Sequence, residues 1–200
     1  ISVTGTTPSV TVGDAGAEDA KIVFDGNAQD YHIGLDDSAD TLVIGKGSAL
    51  GTTTSMSFDA NGIITKPLQP CFFVYKSAGQ DVTNTSNNDI TFDTERFDLN
   101  ADFGSNVFTA PVTGKYHLSA SVGYINANAS GTIMVYINTS NFEILGHRRD
   151  ASGDDSVYGT AQMSAVVDMD ANDTAKLIID SSHDDDYALE SATYRTYFSG

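Results

Sequence analysis

Tryptophan is missing from this 200-residue sequence, and cysteine occurs once, at Cys71. A single thiol cannot close an intrachain disulfide, which excludes a small disulfide-stapled scaffold. Standing at the head of Cys71-Phe72-Phe73-Val74-Tyr75, the thiol is expected to be a small buried apolar group. Basic side chains are few: Lys and Arg total 10 against 27 Asp and Glu, a formal net charge of −17. Such a surface repels phosphate backbones and anionic lipid, so nucleic acid is not an expected partner. Long hydrophobic runs are absent as well. Runs such as Ile133–Ile137 extend only a few residues, far short of the ~20 apolar residues of a membrane-spanning helix. Membrane insertion is therefore not expected. No segment has a signal-peptide pattern, and no window holds a helical period over ten or more residues.

What the sequence has is alternation. From Lys115 to Tyr124, one face carries Tyr116, Leu118, Ala120, Val122 and Tyr124, while the other carries Lys115, His117, Ser119 and Ser121. A period of two over this length specifies a half-buried strand. Pro111 and Gly114 punctuate the turn before it, and Phe108 ends a short feeder strand. Further strands are expected at Phe72–Lys76, Thr132–Asn138, Phe142–Arg148, Tyr158–Met169, Lys176–Asp180 and Tyr194–Phe198. Many short strands between Gly/Asp turns indicate an all-β domain, a sandwich or a jelly roll.

The stretch Phe92–Tyr124 also resembles the aromatic signature of the complement component 1q globular head, a relative of tumour necrosis factor. Phe92, Asp98, Phe103, Phe108, Gly114 and Tyr116 stand in the order of that signature. The gap between Phe103 and Phe108 is two residues shorter than in the usual pattern, and Leu118 and Ala120 stand where aromatics are common. Tyr197-Phe198-Ser199-Gly200 is similar to the family's closing Phe-Ser-Gly strand. The resemblance covers roughly residues 66–200. It implies a ten-stranded jelly roll that assembles as a homotrimer.

Residues 1–65 read differently. Ser2–Val12 has extended character, and short strands are expected at Lys21–Phe24, Tyr31–Leu35, Thr41–Ile44 and Met56–Phe58, separated by turns such as Asp25-Gly26 and Asn61-Gly62. A segment this small rarely supplies an adequate core of its own. Association of three copies around a shared axial core is the expected remedy, and the region resembles the β-rich segments of bacteriophage fibre proteins. A small subdomain packed on its own head is the alternative. Lys66-Pro67-Leu68-Gln69-Pro70 marks the boundary, because two prolines three apart interrupt pairing. The expected organisation is therefore a β-rich trimeric shaft at 1–65 and a jelly-roll head at 66–200.

Chemistry-bearing constellations are sparse. The densest acidic run is Asp184-Asp185-Asp186 beside His183. Calcium takes six to eight oxygens, and it is the one cofactor the sequence suggests, at Asp184, Asp185 and Asp186; solvated loop charge is the plain alternative. Asp154-Asp155, Asp36-Asp37 and the trio Asp168, Asp170, Asp173 are weaker versions of the same idea. The four histidines form no zinc pattern, and no nucleophile elbow or phosphate loop is present. The glutamates Glu18, Glu95, Glu143 and Glu190 all fall in apparent surface segments, so an enzyme is not expected. Tyr158, Tyr187 and Tyr194 lie near the loop end or on outer strands. A ring with a polar tip suits saccharide or protein contact, which makes them the candidate receptor-binding residues.

The chain opens on Ile1 rather than Met, as expected of a processed product or of the ordered end of a longer polypeptide. Together these features lead us to expect the distal part of a bacteriophage tail or head fibre on the virion surface. It would partner other virion proteins and bind a host-surface glycan or protein. A secreted or cell-surface module of the same head family, with no virus involved, is the alternative.

Overall fold

The computed structural model describes residues 3–83, 87–126, 131–151, 157–181, 187–190 and 194–200. By its internal contacts the chain divides into two compact units, Ile1–Gln69 and Pro70–Gly200.

The first unit is one antiparallel meander of five strands in chain order: β1 (Ala20–Phe24), β2 (Tyr31–Asp36), β3 (Thr41–Lys46), β4 (Thr54–Phe58) and β5 (Ile64–Thr65). Residues 3–12, expected to be partly extended, carry no strand. Carboxylates make the turns. Asp36 accepts the Ala39 N–H to cap a short 3-10 turn, and the Asp59 carboxylate accepts the N–H groups of Asn61 and Ile63. The register sets three rungs on one face: Ala20–Leu35–Leu42–Phe58–Ile64, Ile22–Ile33–Ile44–Met56 and Phe24–Tyr31–Lys46. The opposite face carries His32, Gly34, Val43 and Gly45, all buried. His32 Nδ1 lies 2.8 Å from the Gly47 carbonyl. Gly45 is required there: a Cβ at that position would sit 2.6 Å from both the His32 ring and the Thr53 carbonyl oxygen. The small-residue face of the sheet is thus buried, and its large apolar face is left open.

The second unit is a two-sheet sandwich. Its strands are β6 (Cys71–Tyr75), β7 (Gln80–Val82), β8 (Asn88–Asp89), β9 (Thr94–Leu99), β10 (Phe103–Gly104), β11 (Val107–Thr109), β12 (Gly114–Asn126), β13 (Gly131–Thr139), β14 (Glu143–Ala151), β15 (Val157–Met169), β16 (Thr174–Ser181), β17 (Tyr187–Leu189) and β18 (Tyr197–Ser199). One sheet runs β9-β6-β18-β12-β15, with β17 and then β7 added on the β12 edge beyond β18. The other runs β10-β11-β16-β13-β14, with β8 on β16. The chain changes sheet after β12, returns at β15, crosses at β16 and returns again at β17. These repeated crossings make a jelly roll. β12 lies centrally, as its long alternation required.

The core lies between the sheets. Phe72, Val74, Leu118, Val122, Tyr124 and Phe198 from one face Phe108, Ile133, Val135, Ile137, Leu177 and Ile179 from the other. Each such side chain contributes about 1.5–3 kcal/mol by leaving water. Phe72 stacks on Phe103 and Phe108 and meets Phe198 edge-on. The signature residues therefore knit one aromatic cluster. Within it Asp98 is a loop clamp, its carboxylate accepting the N–H groups of Asp102 and Phe103 at 3.1 and 3.0 Å.

Gln80–Val82 and Asn88–Asp89 are short strands, and Val82 and Ile90 are buried in the core. Two expectations change in detail. The closing strand begins at Tyr197, not Tyr194, because Tyr194 has φ 66°, which a strand cannot hold. Cys71 is half-buried rather than buried, since its parity with Phe73 and Tyr75 turns it to the outer face.

Candidate interaction face

Alternation along the first sheet of the sandwich aims one set of side chains outward, and on this sheet the outward set is unusual. On β6, Phe73 and Tyr75 point out because Phe72 and Val74 point in. Phe97 of β9 pairs with Phe73, and Tyr197 of β18 pairs with Tyr75. Phe73 stacks on Tyr197 with ring centres 5.2 Å apart, Phe97 lies 6.1 Å from Phe73, and Tyr194 lies 4.8 Å from Tyr75. Five aromatic rings thus form one outward patch, with Phe97 and Tyr194 each more than two-fifths exposed.

The other half of the face is polar and small. His117 and Ser119 of β12 and Gln162 and Ser164 of β15 point outward, and a shallow hollow of about 330 Å³ lies between Ser119, Gln162, Met163, Ser164 and Tyr197. Val166 stands at its margin, two-thirds exposed. The face therefore has a protruding aromatic half and a recessed polar half.

Tyr194 reaches the patch because the pairing along β12 is interrupted. β17 pairs with Tyr124 and Ile125 and β18 pairs with Ser119–Ser121, while Glu190 and residues 194–196 carry no strand. Glu190 and residues 194–196 are tied down. Glu190 N–H donates to the Gly123 carbonyl, Gly123 N–H donates to Thr196 Oγ1, Ser121 Oγ donates to the Arg195 carbonyl, and Lys76 N–H donates to the Thr196 carbonyl. Arg195 Nη1 donates to both Glu190 oxygens at 2.7 and 2.8 Å. That bond raises the Arg195 pKa further above its ordinary value. Glu190 is buried over Gly123, where a Cβ would stand 2.9 Å from its Oε2. This corrects the surface placement read from sequence: the ion pair lets a carboxylate pack on the sheet. Across the patch, Arg96 Nη1 donates to the Tyr194 hydroxyl at 3.3 Å.

At one end of the sandwich six strand ends converge. Asn126 lies opposite Val157, Gly131 opposite Ala151, and Ser181 opposite Ile133, with Tyr187 beginning the strand beside them. Tyr158 stands on the outer face at this end, 67% exposed. Tyr187 is placed there by its backbone, opposite Val82. Tyr194 belongs instead to the aromatic patch. Sequence reading grouped the three by residue type, and the fold separates them.

Asp184, Asp185, Asp186 and His183, and also Asp154 and Asp155, lie outside the described residues. Among the described residues no group of three or more His, Cys, Asp or Glu side chains could hold a metal ion. The Asp168–Asp170–Asp173 trio is occupied by its own turn. Asp168 pairs with Lys115, and Asp173 accepts from the Asp170 N–H, Ser140 and Asn141. Those bonds, led by the Asp170 N–H, lower the Asp173 pKa.

No family model matches the sequence, and no curated protein matches it. Among solved structures the chain is similar to the globular domain of zebrafish complement 1qA, at 18% identity and TM-score 0.47, over 66% of this chain and 94% of that one. It is also similar to murine APRIL, at 10% identity and TM-score 0.45, over 65% of this chain and 95% of that one.

Proposed function

We propose that this chain is a homotrimeric binding module, the distal part of a bacteriophage tail or head fibre. Its jelly-roll head contacts a host-surface glycan or protein. The observation that carries the trimer is the divided outer face of the first sheet: an aromatic patch beside a polar hollow. The two halves differ, so one copy offers its patch to the hollow of the next. Such a head-to-tail contact closes into a ring when the rotation permits. Aromatic rings at the centre of a contact supply most of its energy. We assign Tyr194 to this contact and Tyr158 and Tyr187 to the receptor-facing end. Three equal receptor sites on one particle then multiply a weak individual affinity.

The virion setting is supported by the acidic surface, by the β-only unit that precedes the head and by its sequence resemblance to bacteriophage fibre segments. Sedimentation of the full chain tests the assembly. The expected species at micromolar concentration is a trimer. Phe97→Glu with Tyr194→Glu should raise the concentration at which it dissociates at least tenfold. A monomeric wild-type chain would end the reading. Labelled trimer should adhere to bacterial cells, with Tyr158→Ala reducing adhesion while leaving the sedimentation unchanged.

A further inference from the structure

The first unit leaves its larger apolar face uncovered by its own residues. We infer that this face is a second contact between copies, and that three first units close face-inward around a common axis. The inference takes only its copy number from the trimeric reading above. Its surface is a separate one.

Three features identify a copy of the chain as the occupant. The first is area. Ile22, Phe24, Tyr31, Leu35, Leu42, Ile44 and Ile64 are each 37–62% exposed. At about 150–250 Å² for a large side chain, they leave on the order of 600 Å² of apolar surface open. That reaches the top of the range of about 300–600 Å² for the largest patch on a typical monomer, and approaches the roughly 800 Å² that each partner gives to a stable interface. The second feature is charge. In a chain of net charge −17, the three rungs of this face contain one charged side chain, Lys46 at a corner, and no carboxylate. The acids of the unit, among them Asp25, Asp37, Asp40 and Asp59, stand in the turns at the strand ends. Copies packed by this face keep their carboxylates apart and in water. The third feature is shape. Five strands at about 4.8 Å spacing make a sheet roughly 20 Å wide, and three such sheets closed into a triangle each lie about 6 Å from the axis. That distance is the reach of Ile, Leu and Phe side chains, so three faces fill the space. The central strand β3 then carries Ile44 closest to the axis.

The test uses the full chain in a Cys71→Ser background, with one new thiol at Ile44→Cys and treatment with a short bis-maleimide. Ser57→Cys, next to the central strand on the opposite face, is the control, its access checked with a monofunctional maleimide. Covalent dimers and trimers should form from Ile44→Cys at least tenfold more efficiently than from Ser57→Cys. They should persist when Phe97→Glu and Tyr194→Glu weaken the head contact. If Ile44→Cys cross-links no better than Ser57→Cys in a chain that still sediments as a trimer, the inference is overturned and the head assembly stands. If Ile44→Cys cross-links while the head substitutions leave dissociation unchanged, the first-unit contact stands and the proposed head contact fails.

Discussion

Gly159 lies flat against the ring of Tyr124, its direct partner across the β12–β15 ladder; a Cβ at Gly159 would overlap the end of that ring. Tyr124 is fully buried and cannot yield, because its hydroxyl stands 3.2 Å from Nε2 of His147 on the opposing sheet. Burial, with a smaller effect of Arg149, lowers the His147 pKa, so the imidazole is held toward its neutral form. One glycine thus makes room for the polar bridge between the two sheets. Overpacking a filled core costs about 1–3 kcal/mol. Gly159→Ala is expected to destabilise the chain by that amount in urea unfolding, and a variant as stable as wild type would contradict the packing described.

Asp93 gives a pH-dependent contribution with a definite sign. Burial alone would raise its pKa, but the N–H groups of Ser77 and Ala78 and the hydroxyls of Ser77 and Thr94 outweigh this and lower it from 3.8 to about 2. A carboxyl depressed in the folded state stabilises above its unfolded pKa, and that stability is lost as pH falls through the folded value. Unfolding free energy should therefore fall between about pH 4 and pH 2, and Asp93→Asn should make that fall shallower. An unchanged slope would show that the two N–H bonds do not hold the anion.

Glu190 and Arg195 should behave as a unit. Removing the guanidinium leaves a buried carboxylate without its counter-charge, whereas removing both leaves an uncharged site. Arg195→Met is expected to lower the melting temperature more than the double change Glu190→Gln with Arg195→Met. A double-mutant cycle by calorimetry measures this, and additive single effects would refute the coupling.

Tyr194 pays for its place in the aromatic patch with a left-handed backbone. Glycine adopts φ 66° freely, whereas alanine does not. Both replacements lose the ring, so Tyr194→Gly should be more stable than Tyr194→Ala by about 1 kcal/mol. Equal stability would mean that the backbone at Tyr194 relaxes once the ring is gone.

Much of the fold was legible because alternation is a property of the chain itself. Leu118, Ala120, Val122 and Tyr124 face the core as their spacing requires, and Ile133, Val135 and Ile137 face them from the other sheet. The strands expected at Thr132–Asn138 and Phe142–Arg148 form and pair with each other, with a bulge between Val135 and Tyr136 that shifts the register. Asp98 was read as one letter of an aromatic pattern, and the fold shows its work as a loop clamp.

The interaction face was not legible, because period two states that Phe73 and Tyr75 share a side without stating which rings meet them. Tyr197 and Phe97 arrive on neighbouring strands from positions far along the chain, and Tyr194 arrives through a break in strand pairing that no local pattern announces. Glu190 looked like an ordinary surface acid until Arg195, five residues on, folded back over it.

The sequence alone determined the class of structure, the position of the long central strand and the acidic, phosphate-repelling surface. Each depends on residue type and short-range spacing, which the unfolded chain already has. Only the tertiary structure decided which side of each sheet is covered. That outcome depends on strand order and register, and these are settled by contacts between residues far apart in sequence.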